Sequence, residues 1–377
     1  MQRRRFLTVL GGGLASISIH SGSEAARLRQ AGQGSISEQH RDAALKLLQN
    51  NLSFDLHTHP ALFPVKDPVR SSNPRPYRGD AAFSERIEQM RQGGLWGGFF
   101  TLVTDAPILG MTPRGPGMVR PFVAGEGWAE YKRQKAVLDA LVARNAVRKA
   151  HSVSEIEEAH RRGEAAAVYA CEGGDHLEGN PARLEEVFAD GVRHIQLVHV
   201  APNRLGDVAG RAPVHNGLSK IGEEVVRQMN RLGMALDLAH ASYQTARHAA
   251  RITPSPLLHT HALLRHPDGR RVPAGISLDH AKLIADTGGV IGAFGGGGPG
   301  LAGYVEHILR LVEAIGIDHV GLGSDMDGTG GRSVFDDYTQ LPEITAGLLS
   351  RGLSEDEVSR IIGGNLARVL REVSANQ

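Results

Sequence analysis

Eight short, nearly continuous apolar runs, most of them separated by stretches of helical periodicity, constrain this chain more than any other feature. They span residues 52–57, 97–103, 165–171, 194–199, 234–240, 257–261, 289–294 and 319–324. Runs of this length without polar alternation are the mark of parallel strands buried on both faces. A chain of 377 residues has room for eight β/α units around one core. The pattern therefore predicts a (β/α)8 TIM barrel of the α/β class. The competing architecture, an open doubly wound sheet, lacks the Gly-rich phosphate fingerprint expected after its first strand.

What stands at the ends of these runs points to chemistry. The first run leads into His57-Thr58-His59, and residues i and i+2 of a strand share a face, so both imidazoles can reach one ion. A lone His-x-His is weak evidence in a chain with 18 histidines. Yet Glu172 follows the third run, His199 ends the fourth, His240 the fifth, His259 and His261 the sixth, and Asp325 follows the eighth. In a barrel these tips converge on one mouth, where such enzymes keep their active sites. Each residue also has a plain structural reading. Glu172 could be a solvated loop acid, His240 a satisfied core histidine, and Asp325 with Asp327 part of a calcium loop, although the further ligands of an EF-hand are missing. Cys171 reads as a small buried hydrophobe rather than a nucleophile.

Formal net charge is +1 with Lys and Arg spread along the chain, which leaves no nucleic-acid footprint. The single cysteine excludes an intrachain disulfide. Arg3-Arg4-Arg5-Phe6-Leu7 precedes a short, small-residue apolar run over 8–19, too short to span a bilayer stably. It reads as a twin-arginine export signal over residues 1–26, followed by one catalytic barrel over 27–377. The expected location is periplasmic or secreted, with no stable membrane span after cleavage. Helices are expected over 39–49 and 221–232, the latter with Gly233 at its C-terminal end, and a capping box at Ser354 and Glu357. Residues 105–127, rich in Gly and Pro, read as a long loop.

From about Asn51 to Val373 the chain resembles the membrane (renal) dipeptidase family, dinuclear zinc peptidases related to the amidohydrolase barrels. The resemblance is carried by Cys171-Glu-Gly-Gly-Asp-His-Leu-Glu178, Ile195-Gln-Leu-Val-His199, Gly217-Leu-Ser-Lys-Ile-Gly-Glu-Glu through to His240, His319-Val-Gly-Leu-Gly-Ser-Asp-Met-Asp-Gly328 and Gly363-Gly-Asn-Leu-Ala-Arg-Val369. It implies two divalent ions, zinc first among them. His57 and His59 would hold one, Glu172 would bridge both, and His240 with His261 would hold the other, His261 being favoured over His259 by its spacing from Pro256. His199 would steady the oxyanion and Asp325 would shuttle the proton. Arg270, with Arg271 adjacent, would grip the substrate carboxylate. One departure stands out: the family has His-x-Asp where this chain has His57-Thr-His59, which makes the ligand set less negative by one charge.

The implied reaction is hydrolysis of a dipeptide amide, including dipeptides with a C-terminal D-residue, by a hydroxide held between the metals. The substrate partner is a small dipeptide-like molecule, and a homodimer is allowed. Two rivals stand beside it: a tailoring enzyme of a secreted metabolite on the same barrel, and a metal-binding protein that has lost catalysis.

Overall fold

The computed structural model describes residues 35–60, 80–112, 115–265, 275–296, 300–329, 333–334 and 336–375. Residues 1–26, where an export signal is expected, and Arg270 with Arg271 lie outside these residues. Eight strands form the barrel: β1 (Phe54–Thr58), β2 (Gly97–Val103), β3 (Ala165–Glu172), β4 (Val192–Gln196), β5 (Ala235–Asp237), β6 (Leu258–Leu264), β7 (Val290–Phe294) and β8 (Val320–Gly323). Each pairs in parallel with the next, and β8 returns to β1 with Leu322 beside Asp55, so the sheet closes. Closure leaves the long strands no open edge. Every residue of β1, β2, β3, β7 and β8 is buried, as two-sided burial requires.

Two apolar layers hold the structure. Phe54, Leu56, Phe99, Val168, Leu258 and Val290 belong to one, filled out by small residues such as Ala166, Ala170 and Ala235. The other joins β-strand residues such as Leu102, Tyr169 and Leu236 to helix residues such as Leu138, Val225 and Ile308. Helix α6 (Lys220–Arg231) shows how periodicity builds that layer. Val225 and Met229 are fully buried, Ser219 caps the first turn through the Gly222 amide, and Gly233 takes φ +62° just past the C-cap. The helix expected over 39–49 is α1 (Glu38–Asn50), and the Ser354–Glu357 capping box opens α11 (Glu355–Ser359).

The stretch 105–127 is not simply a loop. It holds a short helical turn, Ala106–Ile108, and an antiparallel hairpin of Leu109–Thr112 with Gly115–Met118, and α3 (Glu126–Arg144) begins inside it. Glycine and proline lower strand propensity, so the pairing is invisible to an apolar-run criterion.

Strands β6, β7 and β8 approach unusually closely beneath the mouth. A Cβ added at Gly292 or at Gly323 would lie 1.9 Å from the Thr260 carbonyl oxygen. The clash is with backbone, which no rotamer change relieves. Gly323→Ala is therefore expected to cost about 3 kcal/mol or more of stability, the upper range for overpacking, as a lowered denaturant midpoint. An unchanged midpoint would show that the strands can part without loss.

Candidate metal centre

The third strand places the central carboxylate. Glu172 is the last residue of β3, and the chain must leave the barrel wall at once to keep that carboxylate at the mouth. Gly173 does this with φ +83°, a left-handed conformation open to glycine. Gly174 is crowded instead, since a Cβ there would lie 2.4 Å from the end of the Leu205 side chain and 3.0 Å from the Leu197 carbonyl oxygen.

Around Glu172 the other strand tips converge. Its Oε1 lies 3.4 Å from His57 Nε2, 3.4 Å from His199 Nε2, 3.5 Å from His240 Nε2 and 3.9 Å from His261 Nε2. Its Oε2 lies 3.5 Å from His59 Nε2. Asp325 Oδ1 closes the other side, 3.0 Å from His59 Nε2 and 3.9 Å from His57 Nε2. His240 and His261 bring their Nε2 atoms within 2.8 Å. Thus His57, His59, Glu172, His199, His240, His261 and Asp325, drawn from six strands and the turns that follow them, meet in one place. His259 does not join them. It packs against His280 of α8 (Leu278–Asp286) with ring centroids 5.4 Å apart. The choice between the two histidines of the sixth run falls on His261.

Strain marks the site. His240 and Asp325 both sit in the left-handed region, at φ +61° and +51°, a conformation costing of order 1–3 kcal/mol in a residue with a side chain. Asp325 is held there by its own amide, which donates to the His57 carbonyl at 2.9 Å, and His240 by the Ala209 amide on its carbonyl at 2.8 Å. Asp327 shares the conformation at φ +70° but not the site: Arg86 grips it with two hydrogen bonds of 3.0 and 2.8 Å. The calcium-loop reading of Asp325 with Asp327 fails on that contact.

The charge balance follows from this crowding. Burial alone pushes the Glu172 carboxyl up, but the imidazoles, His199 and His57 foremost, hold it well below the ordinary carboxylate range. His261 is driven well below the usual imidazole range by burial and by His57 and His240 beside it. The His199 ring is lowered by burial, but Asp105 and then Glu172 override this and push it up to about 10. Asp105 accepts from His199 Nδ1 at 2.9 and 3.1 Å and is buried. Sequence reasoning missed Asp105, although it stands two residues past the end of β2, where the strand-tip rule applied to every other donor would have found it. Cys171 is fully buried, and burial raises its thiol, as expected of a packing residue.

These donors fit a divalent metal. Ligands about 2.0–2.1 Å from a tetrahedral zinc ion stand about 3.3 Å apart, close to the 3.4 and 3.5 Å separations around Glu172. His57 Nε2 is buried without a hydrogen-bond partner among the described residues, which is costly for a polar atom unless an ion takes it. Three overlapping groups have ligand atoms within 4.8 Å of one another: His57–Glu172–His261, His57–His59–Asp325 and Glu172–His199–His240.

A closed parallel barrel with nitrogen and carboxylate donors gathered at the C-terminal ends of its strands defines the class, the metal-binding (β/α)8 barrels. The chain belongs to the membrane dipeptidase family, peptidase family M19, whose model matches residues 36–377. Dipeptidase tcpJ of Claviceps purpurea (strain 20.1) is 35% identical over 239 residues, 59% of this chain and 55% of that protein. Dipeptidase verJ of Clonostachys rogersoniana is 33% identical over 236 residues, 59% of each. The chain thus spans between 55% and 59% of the length of these relatives. Among solved structures, the probable dipeptidase PvdM of Pseudomonas aeruginosa superposes with a TM-score of 0.74 at 22% identity, over 90% of this chain and 99% of that one. A metallopeptidase of Rhodobacter sphaeroides, liganded with a phosphinate mimic of the dipeptide L-Ala-D-Ala, gives 0.72 at 20% identity over 86% and 100%. At these identities the two structures speak for the fold.

Proposed function

We propose that this protein is a metal-dependent dipeptidase that hydrolyses the amide bond of short peptides, with two zinc ions held at the barrel mouth. The observation that carries the reading is the single carboxylate, Glu172, standing within 3.9 Å of the Nε2 atoms of His57, His199, His240 and His261, with His59 on its second oxygen. Such an arrangement suits a carboxylate shared between two ions, of which His57 and His59 would hold the first and His240 and His261 the second. When bound, the ions supply Lewis acidity, polarising the carbonyl and lowering the pKa of water to near neutrality.

The residues of the chain do the rest. Asp325, only 8% exposed and beside His59, takes the proton from the attacking water and returns it to the leaving amine. His199, fixed by Asp105, donates from Nε2 to the oxygen on which charge develops. Arg270 or the adjacent Arg271, both outside the described residues, would bind a free substrate carboxylate, which favours dipeptides over proteins. The solved relative with a bound L-Ala-D-Ala mimic makes a C-terminal D-residue the first variant to try. Residues 1–26 direct export to the periplasm or beyond, and no helix among the described residues is long and apolar enough to cross a membrane.

The test joins metal analysis to a dipeptide panel with L- and D-residues at the C-terminus. Two ions per chain and turnover of at least one dipeptide are expected. Asp325→Asn should lower kcat by about 10²–10⁴-fold, the usual worth of a general base, while keeping both ions. Metal without turnover of any dipeptide would favour the two rivals, a tailoring enzyme on another substrate or a metal-binding protein that has lost catalysis. A chain without metal would end all three.

A further inference from the structure

The residue between the two histidines of β6, Thr260, is fully buried, and its hydroxyl makes three contacts. It donates to Asp237 Oδ2 at 2.6 Å. It stands 3.3 Å from His57 Nδ1 and 3.2 Å from His261 Nδ1. A hydroxyl has one proton and two lone pairs. With its proton given to Asp237, Thr260 Oγ1 can meet the two imidazoles only as an acceptor. Each ring then carries a proton on Nδ1, which leaves Nε2, the atom that faces Glu172, as the one able to bind an ion.

We infer that Thr260, anchored by Asp237, is a positioning residue that sets the tautomer and aim of one ligand of each ion at once, so that the affinities of the two metal positions are tied through one hydroxyl. The inference rests on the metal reading above and goes beyond it, since neither residue touches an ion. Asp237 is built for the task. It is fully buried at the end of β5 and takes the Ala239 amide at 2.9 Å and the Thr260 amide at 3.0 Å on Oδ1. Its Oδ2 faces the Thr260 hydroxyl, with His194 Nε2 3.3 Å away. Thr260 is thus gripped through both its backbone and its side chain, and its carbonyl is pressed against Gly292 and Gly323 on the far side. The hydroxyl cannot turn to another acceptor without breaking that grip. His59 is supported separately, by the Thr101 carbonyl 3.3 Å from its Nδ1.

Thr260→Val keeps the shape and removes the oxygen. Partners behind a metal ligand are typically worth 10–100-fold in metal affinity, so zinc dissociation constants at both positions should rise by about that factor, read by competition with a chromophoric chelator. Thr260→Ser, which restores the hydroxyl, should recover most of the loss, a rescue that a purely space-filling role would not give. Thr260→Ala removes the same oxygen without a branched side chain and reads the same way should valine hinder folding. Unchanged zinc affinity at both positions in a folded valine or alanine variant overturns the inference, and so does weakening at one position alone. The failure of the metal reading itself is distinguishable, because then the wild-type chain takes up no zinc.

Discussion

Glu172→Gln is expected to remove at least about 10⁴-fold of kcat/KM toward any dipeptide the wild-type chain turns over, and to leave fewer than two ions per chain. The substitution keeps the side chain's size and removes one negative charge from a site where five imidazoles and Asp325 surround it. His59 is a neutral donor, so Glu172 and Asp325 are the carboxylates within the cluster that can balance bound divalent charge. An amide offers a single weaker oxygen where the carboxylate offers two. Losing an ion forfeits the lowered pKa of bound water, from 15.7 toward about 7, and with it most of the nucleophile available at neutral pH. Metal content by elemental analysis and turnover under saturating zinc check the two halves independently. Full occupancy with near-normal turnover would show that Glu172 is not shared between ions.

Much of this site could be read from the primary structure because its donors obey one rule: they stand at the ends of apolar runs. His57, Glu172, His199, His240 and Asp325 stand out that way, as do His259 and His261 together, between which the family resemblance chose, and the barrel brings all but His259 together. The rule works because a strand buried on both faces has no use for a polar residue except at its exit. It was silent where the polar residue lies inside an apolar run. Asp55 on β1 and Asp237 on β5 are buried carboxylates that interrupt otherwise apolar runs, and each turns out to organise backbone and hydroxyl groups around it. Asp55 accepts from the His57 amide at 3.0 Å, the Ser324 amide at 2.9 Å and the Tyr338 hydroxyl at 2.6 Å, tying the first ligand strand to the turn that carries Asp325. A charged residue inside a buried strand costs several kcal/mol unless satisfied, so its presence alone signals a partner; which partner depends on register between distant strands.

Other features depended on three-dimensional context. The hairpin of 109–118 was hidden by its glycines and proline. Asp327 looked like a companion ligand to Asp325, two residues away and equally acidic, yet the left-handed turn of each sends them to different neighbours. Arg86, which claims Asp327, lies 241 residues earlier in the chain, beyond the reach of any local pattern.

Removing the metal is expected to lower the thermal midpoint by on the order of 10 °C without unfolding the protein at room temperature. An ion that binds only the folded chain stabilises it by about 4 kcal/mol when present at a thousandfold over its dissociation constant. For domains of about 150–250 residues each kcal/mol moves the midpoint by about 2–4 °C, and somewhat less for a longer chain. Two observations argue that the fold itself survives. The two apolar layers are built from other side chains than the donors. The metal-free cluster also has internal compensation, since Glu172 is held ionised by the imidazoles around it and His240 pairs with His261. What is lost is local: the left-handed turns at His240 and Asp325, each strained, keep their hydrogen bonds but lose the ion that rewards them. Dialysis against chelator followed by far-ultraviolet circular dichroism should show unchanged secondary structure at 25 °C. A thermal scan of the same sample should show the lower midpoint, and stoichiometric zinc should restore it. A midpoint indifferent to chelator, in protein shown by elemental analysis to have lost its metal, would mean that these seven side chains converge for a reason other than holding ions.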